Sequence, residues 1–223
     1  MVPMPSVRSL DGSDHNETLF ERIAQDLQQQ GYSVNHSALP PRLGEALWEQ
    51  VRQMSGTDFE RAGVGREQDF QLNGFVRTDE VCWIDGSSAA GREWLQWAQS
   101  LQTFLNRRLF LGLFSFESHF AHYGSGDFYK RHLDAFKGEA NRVLSLVVYL
   151  NPGWLPDDGG ELVLYRDEQE REGLRVTPAF GSVVVFLSEE FPHEVLPARR
   201  DRYSIAGWFR VNTSTNLRVD PPR

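Results

Sequence analysis

The chain has 223 residues, of which 40% are hydrophobic and 24% are charged, and this is the composition of an ordinary globular protein. Its 23 basic and 31 acidic side chains give a formal net charge of −8, which disfavours binding to a nucleic-acid backbone. The single cysteine, Cys82, excludes an internal disulfide and a cysteine-based zinc cluster. No apolar run approaches the roughly 20 residues that a membrane span needs. We therefore expect a cytoplasmic monomer with no nucleic-acid or membrane partner.

Three amphipathic helices are predicted in the first half of the chain, after a loose polar lead-in over residues 1–16. Apolar residues recur there at helical spacing, with Gly31 marking an end and Pro40 and Pro41 a start. The predicted helices cover residues 19–27, 41–51 and 94–105, and short strands are predicted at 32–36 and 81–84. Residues 56–74 are rich in glycine and charged side chains and show no period, so we expect a long mobile loop there.

Eight short β-rich segments follow residue 109, separated by turn residues at intervals of about ten, which is typical of an all-β region. They cover residues 111–123, 128–133, 142–151, 161–165, 174–177, 182–187, 193–196 and 203–211. Such strands, preceded by helices, predict a mainly β (α+β) fold: a jelly roll, or double-stranded β-helix, supported by N-terminal helices. We expect one domain over residues 17–211, with its jelly-roll core at about 109–211 and a C-terminal tail over 212–223.

A candidate metal site begins with His132 and Asp134, a His-x-Asp pattern at the end of a predicted strand, where residues i and i+2 point to one face. His193 opens another strand, after four intervening predicted strands, and could bring a third ligand. Two imidazoles and one carboxylate are typical of non-haem Fe(II) oxygenases, but Zn²⁺ accepts the same set, so the ligands leave both metals open. Alternatively, His132 is a strand histidine that a neighbouring carboxylate satisfies. His119 and His122, in the first long strand, are interpreted as packed or surface residues.

Arg202 stands at the start of the last predicted strand, among aromatic and apolar residues. Its charge is costly to bury without a partner, and its planar guanidinium suits a carboxylate through two hydrogen bonds. This favours a dicarboxylate co-substrate that places one end on Arg202 and a 2-oxo acid end on the metal, which describes 2-oxoglutarate. The alternative is a surface arginine that pairs with Asp201 or Glu190.

These residues and several stretches around them resemble the 2-oxoglutarate- and Fe(II)-dependent dioxygenases, and more narrowly the prolyl hydroxylases of hypoxia-inducible factor and their bacterial relatives. The matching stretches are residues 77–86, 129–134, 142–151, 159–162, 186–188, 192–195 and 202–208. The His-x-Asp, His and Arg set is specific to the superfamily. Pro-His-Glu-Val at 192–195 and Tyr-Leu-Asn at 149–151 are similar to the prolyl hydroxylase branch. The resemblance covers about residues 75–211.

The resemblance implies roles for individual residues in the site. His132, Asp134 and His193 would hold Fe(II). Arg202 would bind the distal carboxylate of 2-oxoglutarate, with the hydroxyl of Tyr149 beside it. The other residues implied at the co-substrate pocket are Tyr123, Leu162, Val147, Val195 and Trp208. Without the resemblance, the two tyrosines are equally well explained as ordinary strand aromatics.

The resemblance also implies the reaction and the partners. An enzyme of this kind uses O₂ and 2-oxoglutarate, with ascorbate as a reductant, to convert a prolyl residue into hydroxyproline, releasing succinate and CO₂. The substrate would be a protein with an exposed proline-containing loop, with elongation factor Tu as the candidate, and a part in oxygen sensing is implied. Arg142 would meet this substrate, and Arg77 with Asp79 would stand at the base of a lid over residues 59–77. Alternatives are another side chain, a small-molecule substrate, or a non-catalytic jelly-roll binding domain.

Overall fold

The computed structural model describes residues 12–62, 76–135 and 141–212, without the side chains of residues 12–14. In these ranges the helices are α1 (Gly12–Gln30), α2 (Pro41–Gln53) and α3 (Ala89–Leu109), and a 3₁₀ turn covers Pro156–Asp158. The strands are β1 (Tyr32–Asn35), β2 (Glu60–Arg61), β3 (Glu80–Trp83), β4 (Leu113–Tyr123), β5 (Tyr129–His132), β6 (Arg142–Tyr149), β7 (Leu162–Leu164), β8 (Leu174–Val176), β9 (Val183–Leu187), β10 (His193–Val195) and β11 (Arg202–Val211). Each of the eight strands predicted after residue 109 is present, with ends within two residues of the prediction.

The strands form two antiparallel sheets. The larger has the order β1-β9-β6-β11-β4-β3-β2, and the smaller has the order β5-β10-β7-β8. The central strand β11 pairs with β4 on one side and β6 on the other over nearly its whole length. This architecture confirms the predicted jelly roll with N-terminal helices.

The helices cover one face of the larger sheet. Their apolar stripes meet strand residues in one buried cluster, in which Trp94 and Trp97 stack with ring centroids 5.4 Å apart. The indole N–H of Trp94 donates a 3.0 Å hydrogen bond to Ser118 Oγ of β4, which ties α3 to the sheet. A second buried cluster lies on the opposite side, where residues of the two sheets meet. The candidate site residues belong to that side.

Two N-terminal features differ from the predictions. Helix α1 begins at Gly12, so the last five residues of the predicted lead-in, 12–16, are helical. No apolar residue occurs at these positions, so no periodicity indicated a helix. Contacts with distant segments are present there: His15 Nε2 lies 3.2 Å from the carbonyl oxygen of Ala38, and Asn16 accepts a 3.0 Å hydrogen bond from Trp97. Inside the predicted loop 56–74, Glu60 and Arg61 form β2 because they pair with β3.

Several predicted segments lie outside the described residues. These are the lead-in before Gly12, most of the predicted loop and lid (residues 63–75), and the C-terminal tail beyond Asn212. The single-domain boundaries at 17 and 211 stay a prediction. Within the described ranges, no helix is long and apolar enough to cross a membrane.

Candidate active site

The two histidines and the aspartate of the predicted metal site lie together. His132 is the last residue of β5, His193 is the first residue of β10, and the two are paired across these antiparallel strands. The Nε2 atom of each histidine lies 3.6 Å from a carboxylate oxygen of Asp134. All three ligand atoms fall within 4.8 Å of one another, so one cation can contact all of them.

Backbone carbonyl groups orient both imidazoles. Nδ1 of His132 lies 2.8 Å from the carbonyl oxygen of Lys130, and Nδ1 of His193 lies 3.0 Å from that of Phe191. A carbonyl oxygen only accepts, so each Nδ1 carries the hydrogen and each Nε2 offers a lone pair to a metal. Burial lowers the pKa of His193 to about 4, and Asp134 opposes this only in part. His193 is therefore neutral near pH 7, which is the state that binds a metal.

Hydroxyl groups hold the carboxylate of Asp134. Ser145 of β6 donates a 2.6 Å hydrogen bond to Oδ2, and its Oγ lies 2.9 Å from the hydroxyl of Ser188. Burial by itself raises the pKa of Asp134, but the two imidazoles and the Ser145 hydroxyl outweigh burial and lower the pKa well below its usual range. Asp134 is therefore ionised at neutral pH, as a metal ligand must be.

The convergence of His132 and Asp134 has a different cause from the strand alternation on which the prediction relied. Strand β5 ends at His132, and Asp134 lies in a bend after it. The carboxylate faces the imidazoles because the chain bends and Ser145, from the larger sheet, holds it there. The three predicted residues lie together, but a contact between distant segments brings them there.

Arg202, the first residue of β11, is only 1% exposed. Its Nε donates a 2.8 Å hydrogen bond to the carbonyl oxygen of Gly160, and its Nη1 donates a 3.2 Å hydrogen bond to Ser204 Oγ. A side chain at position 160 would collide, because a Cβ there would lie 3.1 Å from Cδ of Arg202 and 2.9 Å from Cβ of Ala198, at a φ of +70°. Gly160 thus lets the backbone approach the guanidinium closely.

No ion pair among the described residues includes Arg202. Asp201, the alternative partner considered from the sequence, lies 3.1 Å from Nε2 of His122 instead. The guanidinium faces two aromatic rings, 4.9 Å from the centroid of Tyr123 and 5.1 Å from that of Tyr149. Since a buried charge without a partner is costly, this arrangement fits an anionic ligand.

The hydroxyl group of Tyr149 is an unsatisfied polar group near Arg202. Tyr149 is fully buried, and its hydroxyl has no hydrogen-bond partner among the described residues. Burial raises the pKa of Tyr149 to about 12, although the charge of Arg202 opposes the rise. A neutral O–H donor beside a buried guanidinium is a suitable pair for a carboxylate.

We expect Tyr149→Phe to weaken the binding of 2-oxoglutarate by about 10-fold or more, because a hydrogen bond to a charged group contributes about 1.5–3 kcal/mol. The stability of the free protein should be unchanged or slightly higher, since the variant removes an unsatisfied buried group. Calorimetric titration and thermal unfolding measure the two effects. The control is Tyr203→Phe, because Tyr203 lies on the face of β11 opposite to the face that carries Arg202. A marked loss of stability with unchanged 2-oxoglutarate affinity would contradict this assignment.

The remaining predicted pocket residues fall into two places. Leu162 of β7 and Val195 of β10 are paired across their strands and lie in one buried cluster with Tyr123 and Tyr149. Trp208 lies further along β11, on the face that also carries Arg202. It is 9% exposed and contacts the Arg142 guanidinium, whose carbon lies 3.7 Å from the ring centroid.

Arg77 and Asp79, the residues implied at the base of the lid, form an ion pair. Arg77 donates two hydrogen bonds to the carboxylate, of 2.7 Å from Nε and 2.5 Å from Nη2, and Asp79 is only 1% exposed. The guanidinium carbon also lies 4.3 Å from the ring centroid of Tyr129, which stacks on His132 at 3.5 Å. The pair therefore adjoins the metal site through one aromatic ring. Its part in a lid stays a prediction, because most of that segment lies outside the described residues.

We expect Arg77→Ala to lower the free energy of unfolding by about 3–5 kcal/mol, because it leaves the Asp79 carboxylate buried without its partner. The double variant Arg77→Ala with Asp79→Ala should recover part of this loss. Arg52→Ala removes an exposed pair with Glu49 and should change stability by less than about 1 kcal/mol. Denaturant titration measures all three variants. Equal losses in the single and double variants would show that the pair itself contributes little.

Arg142, the predicted contact for a protein substrate, has a carboxylate partner inside the protein. Its Nε and Nη2 donate hydrogen bonds of 3.1 and 2.7 Å to Glu117 Oε1. Arg210 approaches the other oxygen of Glu117 at 3.7 Å. Contact between Arg142 and a substrate stays a prediction.

Several residues that shape the site were not identified from the sequence: Ser145, Gly160, Ser204, Glu117 and His119. Alternate residues of a strand share a face, so strand parity could have indicated four of them. Ser204 is two residues from Arg202, Ser145 is four residues from Tyr149, and His119 and Glu117 are four and six residues from Tyr123. Parity does not reveal the contact of Ser145 with Asp134, which depends on the fold.

The comparisons with known proteins agree with this geometry. A family model described as the 2OG-Fe(II) oxygenase superfamily matches residues 118–210. The chain is 26% identical over 198 residues to human Egl nine homolog 1. The matched region covers 85% of this chain and 46% of the human protein. The chain spans about half the length of the first curated relatives it matches.

Two solved structures are similar over most of both chains. A Pseudomonas putida prolyl-4-hydroxylase is 39% identical, with a TM-score of 0.76 and coverage of 86% of this chain and 98% of that chain. A Trichoplax adhaerens prolyl hydroxylase, in complex with a peptide fragment of the hypoxia-inducible factor oxygen degradation domain, is 27% identical, with a TM-score of 0.79 and coverage of 92% and 94%. With its His-Asp-His cluster and buried arginine, the chain belongs to the 2-oxoglutarate- and Fe(II)-dependent oxygenase superfamily and is homologous to the hypoxia-inducible factor prolyl hydroxylases.

Proposed function

We propose that this chain hydroxylates a prolyl residue in a protein substrate, using O₂ and 2-oxoglutarate at an Fe(II) site. The observation that carries the proposal is the combination of the converging His-Asp-His cluster with a buried Arg202 that has no carboxylate partner among the described residues. A metal alone would account for the cluster but not for the arginine. A dicarboxylate with a metal-chelating end accounts for both.

Each residue of the site would have a specific task. His132, Asp134 and His193 would hold Fe(II) through two imidazole nitrogens and one carboxylate oxygen that already converge on one point. Arg202 and Tyr149 would bind the distal carboxylate of 2-oxoglutarate. When bound, the metal supplies the activation of O₂ that couples decarboxylation of 2-oxoglutarate to hydroxylation of a C–H bond.

The pocket residues would keep water away from this chemistry. Leu162 and Val195 are 2% and 7% exposed, and they form an apolar wall next to Tyr123. A low-dielectric pocket strengthens the interaction of Arg202 with a carboxylate. At the other end of the site, Trp208 and Arg142 would face the substrate, and the Arg77–Asp79 pair would hold the segment that borders it.

The relatives support a protein as the substrate. The Trichoplax structure contains a peptide fragment, and the Pseudomonas protein is described as a prolyl-4-hydroxylase. For this chain we propose a proline in an exposed, extended loop, and elongation factor Tu as the candidate protein. A cytoplasmic location is part of the same proposal.

Mass spectrometry of elongation factor Tu, incubated with this protein, Fe(II), 2-oxoglutarate and O₂, tests the proposal. We expect one added oxygen on a proline and one succinate released per hydroxylation, with both reduced in the Arg202→Ala variant at a 2-oxoglutarate concentration that just saturates the wild type. Succinate release without any modified protein would favour a small-molecule substrate. Hydroxylation of another side chain would support the oxygenase activity but contradict the assignment of proline as the target. Absence of succinate under all conditions would indicate a non-catalytic binding domain.

A further inference from the structure

His119, in the middle of β4, lies on the face of the sheet that carries the site. Residues 119, 121 and 123 of β4 alternate onto one face, and Tyr123 on that face contacts Arg202. The cross-strand partners of His119 are Ala206 on β11 and Trp83 on β3. Trp83 is 53% exposed whereas His119 is 5% exposed, so His119 lies just inside the edge of the site.

The register of the sheet places His119 between the two ends of the site. In one row across the strands, Ser204 pairs with Tyr149, at the Arg202 end. Four residues further along β11, Trp208 pairs with Ser145, which binds Asp134. The row of Ala206 lies between these two rows, and His119 is in it. Alanine at position 206 places only a methyl group beside the imidazole in this row.

The imidazole of His119 offers a hydrogen-bond acceptor on this face of the sheet. Its Nδ1 lies 3.2 Å from the carbonyl oxygen of Phe120, so Nδ1 carries the hydrogen and Nε2 keeps a lone pair. Burial lowers the pKa of His119 to about 4, with a further lowering by Arg77 and Arg142 that Asp79 partly opposes. The ring is therefore neutral in the physiological range. Within the described residues, no donor reaches Nε2.

A donor without a partner lies next to this acceptor. The ring of Trp208 is 5.5 Å from that of His119, and its indole N–H is buried with no partner among the described residues. Buried polar groups normally form hydrogen bonds, so the unsatisfied N–H of Trp208, next to an imidazole acceptor that no described donor reaches, indicates a polar ligand. A peptide backbone, which offers both a carbonyl and an N–H, has the matching chemistry.

We propose that His119 positions the protein substrate by accepting, through Nε2, a hydrogen bond from the backbone N–H of a residue that flanks the target proline. The inference rests on the proposed function. Proline has no N–H of its own, so a polar contact of this kind must reach a neighbouring residue. Trp208 would donate to a substrate carbonyl from the other side. His119 is thereby a specificity-determining residue: it disfavours substrates whose contacting residue cannot donate, such as a second proline.

The test combines variants of His119 with peptides that lack one N–H. The probe is a synthetic peptide around the proline that the mass-spectrometric experiment identifies. In two further peptides, an ester replaces the amide of the residue before or after the proline, which removes one N–H with little change in size. For the wild-type protein we expect one ester to raise KM by about 10-fold. His119→Leu should raise KM for the amide peptide by a similar factor. In this variant, the ester should cause no further increase in KM.

Two further variants separate positioning from a structural role. Gln carries an acceptor oxygen near the position of Nε2, so His119→Gln should stay within about 3-fold of the wild-type KM and remain sensitive to the ester. His122→Leu, a histidine on the opposite face of β4 that contacts Asp201 and Glu80, should leave KM and ester sensitivity unchanged. Affinity for 2-oxoglutarate should not change in any of them.

The outcomes distinguish this inference from the function on which it rests. If the wild-type protein hydroxylates no proline, the proposed function fails and the inference fails with it. If it is active and neither ester raises KM, the inference alone is overturned, even if His119→Leu does not fold. Equal ester effects in the wild type and in His119→Leu, or a loss confined to kcat, would also overturn it.

Discussion

Asp134→Ala is expected to lower turnover by more than about 100-fold at saturating 2-oxoglutarate. Even residues that only orient metal ligands change affinity or activity by about 10- to 100-fold, so loss of the one anionic ligand should cost more. The remaining ligands would be two neutral imidazoles that do not compensate the charge of a divalent cation. Calorimetric titration with Fe(II) under nitrogen, together with succinate release, measures metal affinity and turnover.

Asp201→Ala provides the matched control for Asp134→Ala. Asp201 is an exposed carboxylate that contacts His122 on the other face of β4, and its removal should leave turnover unchanged. Thermal unfolding establishes that both variants fold. If Asp134→Ala keeps more than a tenth of wild-type turnover at saturating iron, Asp134 is not a metal ligand.

Arg202→Ala is expected to have the opposite profile: 2-oxoglutarate binding falls by about 10- to 150-fold while the affinity for Fe(II) changes little. The range corresponds to the loss of about 1.5–3 kcal/mol from hydrogen bonds to a charged group. Arg202→Lys should recover only part of the affinity, since an ammonium group cannot form the planar two-bond contact with a carboxylate. Titration of the metal-loaded variants with 2-oxoglutarate gives both affinities.

Arg199→Ala tests whether any nearby positive charge would have the same effect. Arg199 is exposed and lies three residues before Arg202, so the net charge changes equally in both variants. Its removal should leave the 2-oxoglutarate affinity within about 2-fold, since exposed charges are well screened. Unchanged affinity in Arg202→Ala would mean that the buried guanidinium has a purely structural role and that the co-substrate binds elsewhere.

Local patterns were sufficient to predict most of the secondary structure. The apolar spacing of Leu43, Leu47 and Val51 predicts helix α2, and all three are buried. Alternation and turn residues located the eight strands of the jelly roll to within two residues. These features are predictable because neighbours along the chain determine side-chain periodicity.

Features that depend on distant partners were not predictable in the same way. Glu60 and Arg61 are exposed charged residues with no strand pattern, and they form β2 only because β3 offers its backbone groups. Near the polar start of α1, His15 contacts Ala38 and Asn16 contacts Trp97. In both places, a hydrogen bond to a remote segment decides the conformation.

The sequence by itself determined the chemical types in the site: two histidines, one aspartate and one arginine that opens an apolar strand. It did not determine why Asp134 faces the histidines, which side of β4 is enclosed, or that Arg202 has no carboxylate partner among the described residues. Those depend on the pairing of β5 with β10 and on the contact of Ser145 with Asp134. Alternation along a strand assigns residues to two faces, but only the packing of a second sheet decides which face becomes the site.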